Sequence, residues 1–165
     1  MSIFGKKNKS GNRSVNLSYM DGLNGYVIGT AVEVSINDEN QSVTVKSRAY
    51  KKPEIHLKLD QITGVTVISE KDVVEKSKST VGRAVVGGVL LGPLGAIVGG
   101  MSGIGNKVKS STKYFMVINY KSREEEIKVL SFEIVGASLH WSSFVEELRK
   151  KINVVPIEFE KKMYL

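Results

Sequence analysis

The 165-residue chain has no cysteine. Disulfides, thiol nucleophiles and cysteine-ligated zinc or iron–sulfur sites are therefore excluded. Histidine is scarce, with only His56 and His140, which leaves no basis for a histidine-rich metal site. Tryptophan occurs once, proline three times, and aromatic residues make up 7% of the chain. No apolar run follows the basic residues at the start, so the N-terminus does not read as a secretory signal. The lack of cysteine fits a reducing compartment. The expected location is cytoplasmic rather than secreted, with the inner face of the cell membrane as an extension of it.

What is present is ordinary in amount. Hydrophobic residues are 41% and charged residues 25%, which suits one globular domain with its own core and argues against disorder. The formal charge is +7, from 24 basic and 17 acidic residues. That balance suits an anionic partner: a phospholipid surface, a nucleic acid or an acidic protein. Lys6, Lys7, Lys9 and Arg13 all precede the first acid, Asp21, and Ile3 and Phe4 stand before them. Residues 1–18 are expected to be a basic flexible tail, with contact to an anionic surface as its functional reading.

Strand patterns follow. Val32, Val34 and Ile36 alternate with polar residues, Asp38-Glu39-Asn40 forms a turn, and Val43 and Val45 alternate again. This is a hairpin. Further strands are expected at Ile55–Leu59, at Ile62–Ile68, at Tyr114–Tyr120 and from Ile127 into Ile134, with a weaker one around Tyr26–Ile28. The strand-like pattern runs to about Val74. Trp141, Phe144, Val145, Leu148 and Ile152 then fall on one face of a 3.6-residue repeat, predicting a C-terminal amphipathic helix. Arg149, Lys150 and Lys151 complement the dipole in its last turns, and Pro156 blocks continuation.

Between the strands lies a segment of different character. No charged residue occurs from Ala84 to Gly105, and Ser102 is the only polar side chain between Val85 and Ile104. Seven of those twenty residues are glycine: Gly87, Gly88, Gly92, Gly95, Gly99, Gly100 and Gly103. Ala84-Val85-Val86-Gly87-Gly88-Val89 is echoed twelve residues later by Ala96-Ile97-Val98-Gly99-Gly100-Met101, with Gly92-Pro93 between the copies. The natural expectation is two short helices folded back at Gly92-Pro93 with glycine faces together. Each arm would be about 15–18 Å long, short of the roughly 30 Å hydrocarbon core. Three readings compete: a hairpin resting in a membrane, a subunit contact in a homo-oligomer, and a hairpin packed on its own domain. The candidate membrane or subunit contacts are Gly87, Gly88, Leu90, Leu91, Gly92, Pro93, Leu94, Gly95, Ile97, Gly99, Gly100 and Gly103. The candidate anionic-surface contacts are Lys6, Lys7, Lys9, Arg83, Lys107 and Lys109. A phosphate-binding loop is discounted, since no Gly-Lys-Ser/Thr follows the glycines.

The chain resembles bacterial and phage pleckstrin-homology-like (PH-like) proteins. The likeness is carried by Gly22-Leu23-Asn24-Gly25 before the Thr30–Ser47 hairpin, by the step Leu57-Lys58-Leu59-Asp60-Gln61-Ile62, and by the terminal helix with Trp141 and Phe144. The segment Gly82-Arg83-Ala84-Val85-Val86-Gly87-Gly88 looks like the glycine-zipper insertions of some of these proteins. The resemblance implies a mostly β (α+β) fold: a half-open barrel of two antiparallel sheets closed by a C-terminal helix. It also implies a non-catalytic platform for lipids, peptides or other subunits. The expected division is a PH-like domain over 19–79 and 110–154, an inserted glycine-rich apolar helical hairpin over 80–109, and a tail over 155–165.

Nothing points to an enzyme or a cofactor. Glu124-Glu125-Glu126 reads as a solvated turn, and neither histidine has a serine–acid arrangement around it. Lys46, Arg48, Lys51 and Lys52 flank Tyr50, and Lys107, Lys109 and Lys113 precede Tyr114 and Phe115, which could hold a single strand. No reading helix or RNP-type motif accompanies them, so nucleic-acid binding is the weakest reading. The expected function is a PH-like adaptor attached to a membrane surface or anionic lipid through the hairpin. The alternative is a soluble homo-oligomeric interaction module with an unidentified protein partner, set in phage–host conflict by family context.

Overall fold

The alternation of aliphatic and polar residues is converted directly into sheet. The computed structural model describes residues 13–79, 85–86, 88–102 and 112–152. The strands are β1 (Arg13–Asp21), β2 (Ala31–Asn37), β3 (Ser42–Ser47), β4 (Ile55–Lys58) and β5 (Ile62–Ser69), with a 3-10 turn at Leu59–Gln61. Helix α1 (Glu70–Ser79), a short ribbon of β6 (Val85–Val86) and β7 (Val89–Leu90), and helix α2 (Leu94–Ser102) follow. Strands β8 (Tyr114–Lys121) and β9 (Ile127–Ile134) and helix α3 (Trp141–Ile152) complete the order.

Seven strands form one antiparallel sheet in the order β4-β3-β2-β1-β9-β8-β5. Strand β1 changes partner along its length: Arg13 to Ser18 pair with β2, and Ser18 to Asp21 pair with β9, with a register shift between Tyr19 and Asp21. Such a shift bends a strand and turns the sheet. The end strands β4 and β5 do not pair with each other among the described residues.

The inward face carries Val15, Leu17, Val32, Val34, Val43, Val45, Ile118, Leu130 and Phe132, all buried in one cluster. Helix α3 covers it with Phe144, Val145 and Leu148. Arg13 pairs with Glu147 at 3.1 Å, and Arg149 Nε donates to the Val65 carbonyl at 3.3 Å, so α3 is tied to β1 and β5. Leu148 is fully buried. Leu148→Ala is expected to cost about 2–5 kcal/mol of folding stability in a denaturant titration, through lost burial and the cavity left behind. Lys151 donates to Asp38, and that hydrogen bond raises the lysine pKa above its ordinary value despite partial burial. The contribution is present at neutral pH and is lost as pH rises through the raised folded value, so it weakens only under alkaline conditions.

Several expectations are corrected. Residues 13–18 lie in β1 rather than in a tail, because Val15 and Leu17 alternate into the core. The weak strand at Tyr26–Ile28 is a loop, since the flanking Gly25 and Gly29 have φ of +76° and +92°, which breaks an extended run. Helix α1 stands where the strand pattern was extended to Val74. Its N-terminus is capped by Ser69, whose Oγ accepts from the Asp72 amide at 3.2 Å and donates to the Asp72 carboxylate at 2.9 Å.

The described residues of the insertion's first arm, 85–86 and 88–90, form a β-ribbon rather than a helix. Val85 pairs with Leu90 and Val86 with Val89, and Gly88 turns the ribbon at φ +78°. Two β-branched valines, a Gly-Gly pair and another β-branched residue make a hairpin signal. The second copy of the repeat does form a helix, α2, started after Pro93, whose carbonyl accepts from the Ile97 amide at 3.1 Å. The sequence repeat is thus not a structural repeat. Residues 1–12 and 153–165, which include the expected tails, lie outside the described residues.

Two candidate surfaces, one covered and one open

The described part of the glycine-rich insertion, over residues 89–98, lies against the outer face of β5, β8 and β9. Met20, Ile68, Phe115 and Val117 form that face, and Val73 of α1, Val89, Leu91, Leu94 and Val98 cover it. Leu91 and Leu94 are fully buried. Asn119 of β8 holds the ribbon in place. Its Oδ1 accepts from the Leu90 amide at 2.7 Å, and its Nδ2 donates to the Leu90 carbonyl at 2.8 Å. The amide side chain thereby takes the place of a neighbouring strand. Asn119 is 3% exposed and Leu90 half-buried, so the pairing is largely shielded and an unmatched partner there is costly.

Glycine permits the close approach. A Cβ on Gly64 would meet Val89 Cγ2 at 2.9 Å, and one on Gly95 would meet Ser77 Oγ at 1.9 Å and Ser77 Cβ at 2.5 Å. Helices α1 and α2 therefore touch through Gly95. Gly92, at φ +56°, packs on Val129. Gly95→Leu is expected to separate α1 from α2 and lower stability, read as a reduced Tm with the far-UV β signature retained.

The predicted contact residues are thus split. Leu91, Leu94 and Gly95 are buried in the chain's own second core, and Leu90, Gly92 and Ile97 are half-buried. Gly88, Pro93, Gly99 and Gly100 face outward. Gly87, Gly103, Lys6, Lys7, Lys9, Arg83, Lys107 and Lys109 lie outside the described residues.

A second surface is open to solvent. It is made by the β1–β2 loop, residues 22–30, and the β3–β4 loop, residues 48–54. Val27 is 67% exposed, Ile28 47% and Tyr50 44%, three large apolar side chains turned to solvent. Hydrogen bonds stitch the two loops together. Thr30 Oγ1 donates to the Val27 carbonyl at 2.6 Å and accepts from the Tyr50 hydroxyl at 2.6 Å. Tyr19 Oη accepts from the Leu23 amide at 2.8 Å and donates to its carbonyl at 3.0 Å. Gly22, at φ +111°, lets the loop leave β1 so close to β9 that a Cβ would sit 2.4 Å from the Val129 carbonyl oxygen.

The charge around this tip is positive. The β1–β2 loop has no charged residue, and the β3–β4 loop carries Arg48, Lys51, Lys52 and Glu54. Glu54 is turned toward Lys46 and His56, each at 3.8 Å. Lys52 donates to the Gly25 carbonyl, and its ammonium lies 5.1 Å from the Tyr26 ring centroid and 5.7 Å from that of Tyr50. Arg48 and Lys51 have no ion pair among the described residues. Burial pushes the Tyr26 hydroxyl pKa up, with the neighbouring Tyr50 adding to it, so the Tyr26 hydroxyl stays neutral near neutral pH.

The cations at 46–52 are visible in the sequence, whereas Val27 and Ile28 fit the pattern of a weak strand and give no sign of exposure. The usable signal was the spacing of Gly22, Gly25 and Gly29, which makes a loop of that stretch and leaves its aliphatic residues without a sheet face.

The remaining candidates hold no assembled chemistry. Glu124, Glu125 and Glu126 are exposed on the β8–β9 turn, and no cluster suited to a metal occurs among the described residues. His56 Nδ1 lies 3.1 Å from Thr44 Oγ1 on the outer sheet face. His140 borders a shallow cleft of about 300 Å³ with Ser14, Glu33 and Arg48. No helix among the described residues is long and apolar enough to cross a membrane.

A family model described as a glycine zipper containing PH domain matches residues 21–134. The match runs from the end of β1 to the end of β9 and includes the inserted segment. No curated protein and no solved structure matches the chain.

Proposed function

The chain belongs to the glycine zipper containing PH domain family, and on that premise we propose that it is an interaction module that docks on anionic membrane surfaces through the tip of its β1–β2 and β3–β4 loops. PH-like domains are in general non-catalytic binding platforms. The observation that carries the membrane reading is that exposed Val27, Ile28 and Tyr50 lie on two joined loops, the second of which carries Arg48 and Lys51, neither in an ion pair among the described residues. Apolar side chains would enter the headgroup–acyl boundary, and the cations would meet lipid phosphates. Charge and apolar area are both on one stitched surface, so little ordering is needed on docking.

The test is vesicle flotation with phosphatidylglycerol-containing and neutral vesicles at low and high salt. The chain should float with anionic vesicles and less so at high salt. Arg48→Ala and Lys51→Ala should each weaken binding about fivefold at low salt, following roughly 1 kcal/mol per surface cation. Absence of flotation with anionic vesicles at low salt would retire the reading.

A second reading is assembly with another copy through the insertion. It rests on the outward face of α2, where Ala96, Gly99 and Gly100 are exposed and a Cβ on either glycine meets nothing within 4 Å. Light scattering that gives a monomer mass for the wild type would exclude it.

A further inference from the structure

The two side chains and one backbone carbonyl around the Lys52 ammonium are unusual surroundings for a surface lysine. Tyr26 and Tyr50 present their rings to it at 5.1 and 5.7 Å, and the Gly25 carbonyl accepts its hydrogen bond. Tyr19 backs Tyr26, with ring centroids 5.3 Å apart and planes tilted by 53°. Two aromatic faces and a carbonyl oxygen around one ammonium are the elements of a cation–π cage. Such cages take quaternary ammonium groups, whose charge is spread over methyls and poorly hydrated. Here the cage is filled from within the chain.

We propose that Lys52 sets the specificity of the tip by occupying an ammonium site formed by Tyr26, Tyr50 and the Gly25 carbonyl, so that choline-type head groups are excluded and anionic head groups are left to meet Arg48 and Lys51. The inference rests on the docking reading for its biological sense, but the ammonium site stands or falls separately. Two consequences follow from the geometry. Lys52 is committed to the loops and is not one of the cations that meet phosphate. Its removal leaves an open aromatic slot beside the exposed apolar side chains, where a choline head group would reach it from the membrane.

The test uses the full chain and tetramethylammonium chloride as the probe, against sodium chloride at equal ionic strength. The readout is the NMR shift of the Tyr26 and Tyr50 ring signals. The wild type should show no saturable shift. Lys52→Ala, and Lys52→Thr as a second opening variant, should show saturable shifts of both rings at about millimolar or higher probe concentrations. Lys52→Met, which refills the slot with an uncharged chain of similar length, should show none. In the vesicle arm, the wild type should prefer phosphatidylglycerol to phosphatidylcholine, and Lys52→Ala should gain binding to phosphatidylcholine vesicles. Folded opening variants that show no ammonium-dependent shift, or a wild type that shifts as strongly as they do, would overturn the proposal. An ammonium response without any vesicle binding would retire the membrane reading and leave the ammonium site standing.

Discussion

Replacing Val27 and Ile28 together with aspartate is expected to abolish flotation with anionic vesicles while leaving the fold intact. Both side chains are exposed, so their removal costs the free protein little. Their value would be realised only on the membrane. Full burial of an aliphatic side chain is worth roughly 1.5–3 kcal/mol, and partial burial of two is therefore worth a few kcal/mol, or about a hundredfold in affinity. The aspartates add a second effect of the same sign, because they reverse the charge that attracts an anionic surface. Leucine at both positions should preserve binding. If the double aspartate variant floats as well as the wild type, the tip is not the contact.

The second large effect is expected at Asn119. In Asn119→Ala the Leu90 amide and carbonyl lose their partners in a half-buried position, at about 1–3 kcal/mol for each unmatched group. The β6–β7 ribbon would loosen rather than leave. Val89, Leu91, Leu94 and Val98 still bury their side chains on the sheet, together worth up to about 6–12 kcal/mol. Amide hydrogen exchange should therefore accelerate across 89–98, while β2 and β3, which belong to the other core, remain protected. Uniform acceleration of both regions would show that the two cores unfold as one, against the separation seen here. Vesicle binding should not change in this variant. A gain in binding would mean that the loosened insertion reaches the membrane itself.

The two cores explain what could and could not be seen in advance. Strands β2 and β3 alternate cleanly because one face is covered by the sheet's own interior and α3, and so their hairpin was legible from Val32, Val34, Val43 and Val45. Helix α3 was legible from the spacing of Trp141, Phe144, Val145 and Leu148. Strand β8 is different: Phe115, Met116, Val117, Ile118 and Asn119 are all buried, because the insertion covers one face and the main core the other. Its unbroken apolar run is the sequence mark of a second covering layer, but periodicity alone identifies only a strand. Asn119 in that run is a polar residue inside an apolar strand, which signals a hydrogen-bonding duty. The insertion itself misled because glycine spacing suits packed helices and tight ribbons alike. Val85 and Val86 decide for the ribbon, and Ser77 opposite Gly95 supplies the close approach that one glycine was kept for. Helix α1 escaped notice because Val73 and Val74, both β-branched, are its only aliphatic residues.

Docking by the loop tip requires that the membrane be met there while the described part of the glycine-rich insertion stays on the chain's own sheet. The chain has no cysteine, so a single one can be placed and labelled without competition. Ile28→Cys on the tip and Ala96→Cys on the exposed side of α2 should each carry an environment-sensitive fluorophore, titrated with phosphatidylglycerol-containing vesicles. A blue shift and intensity gain are expected at position 28, and no change at position 96. A blue shift at position 96 with none at position 28 would contradict docking by the tip and assign the membrane contact to the insertion.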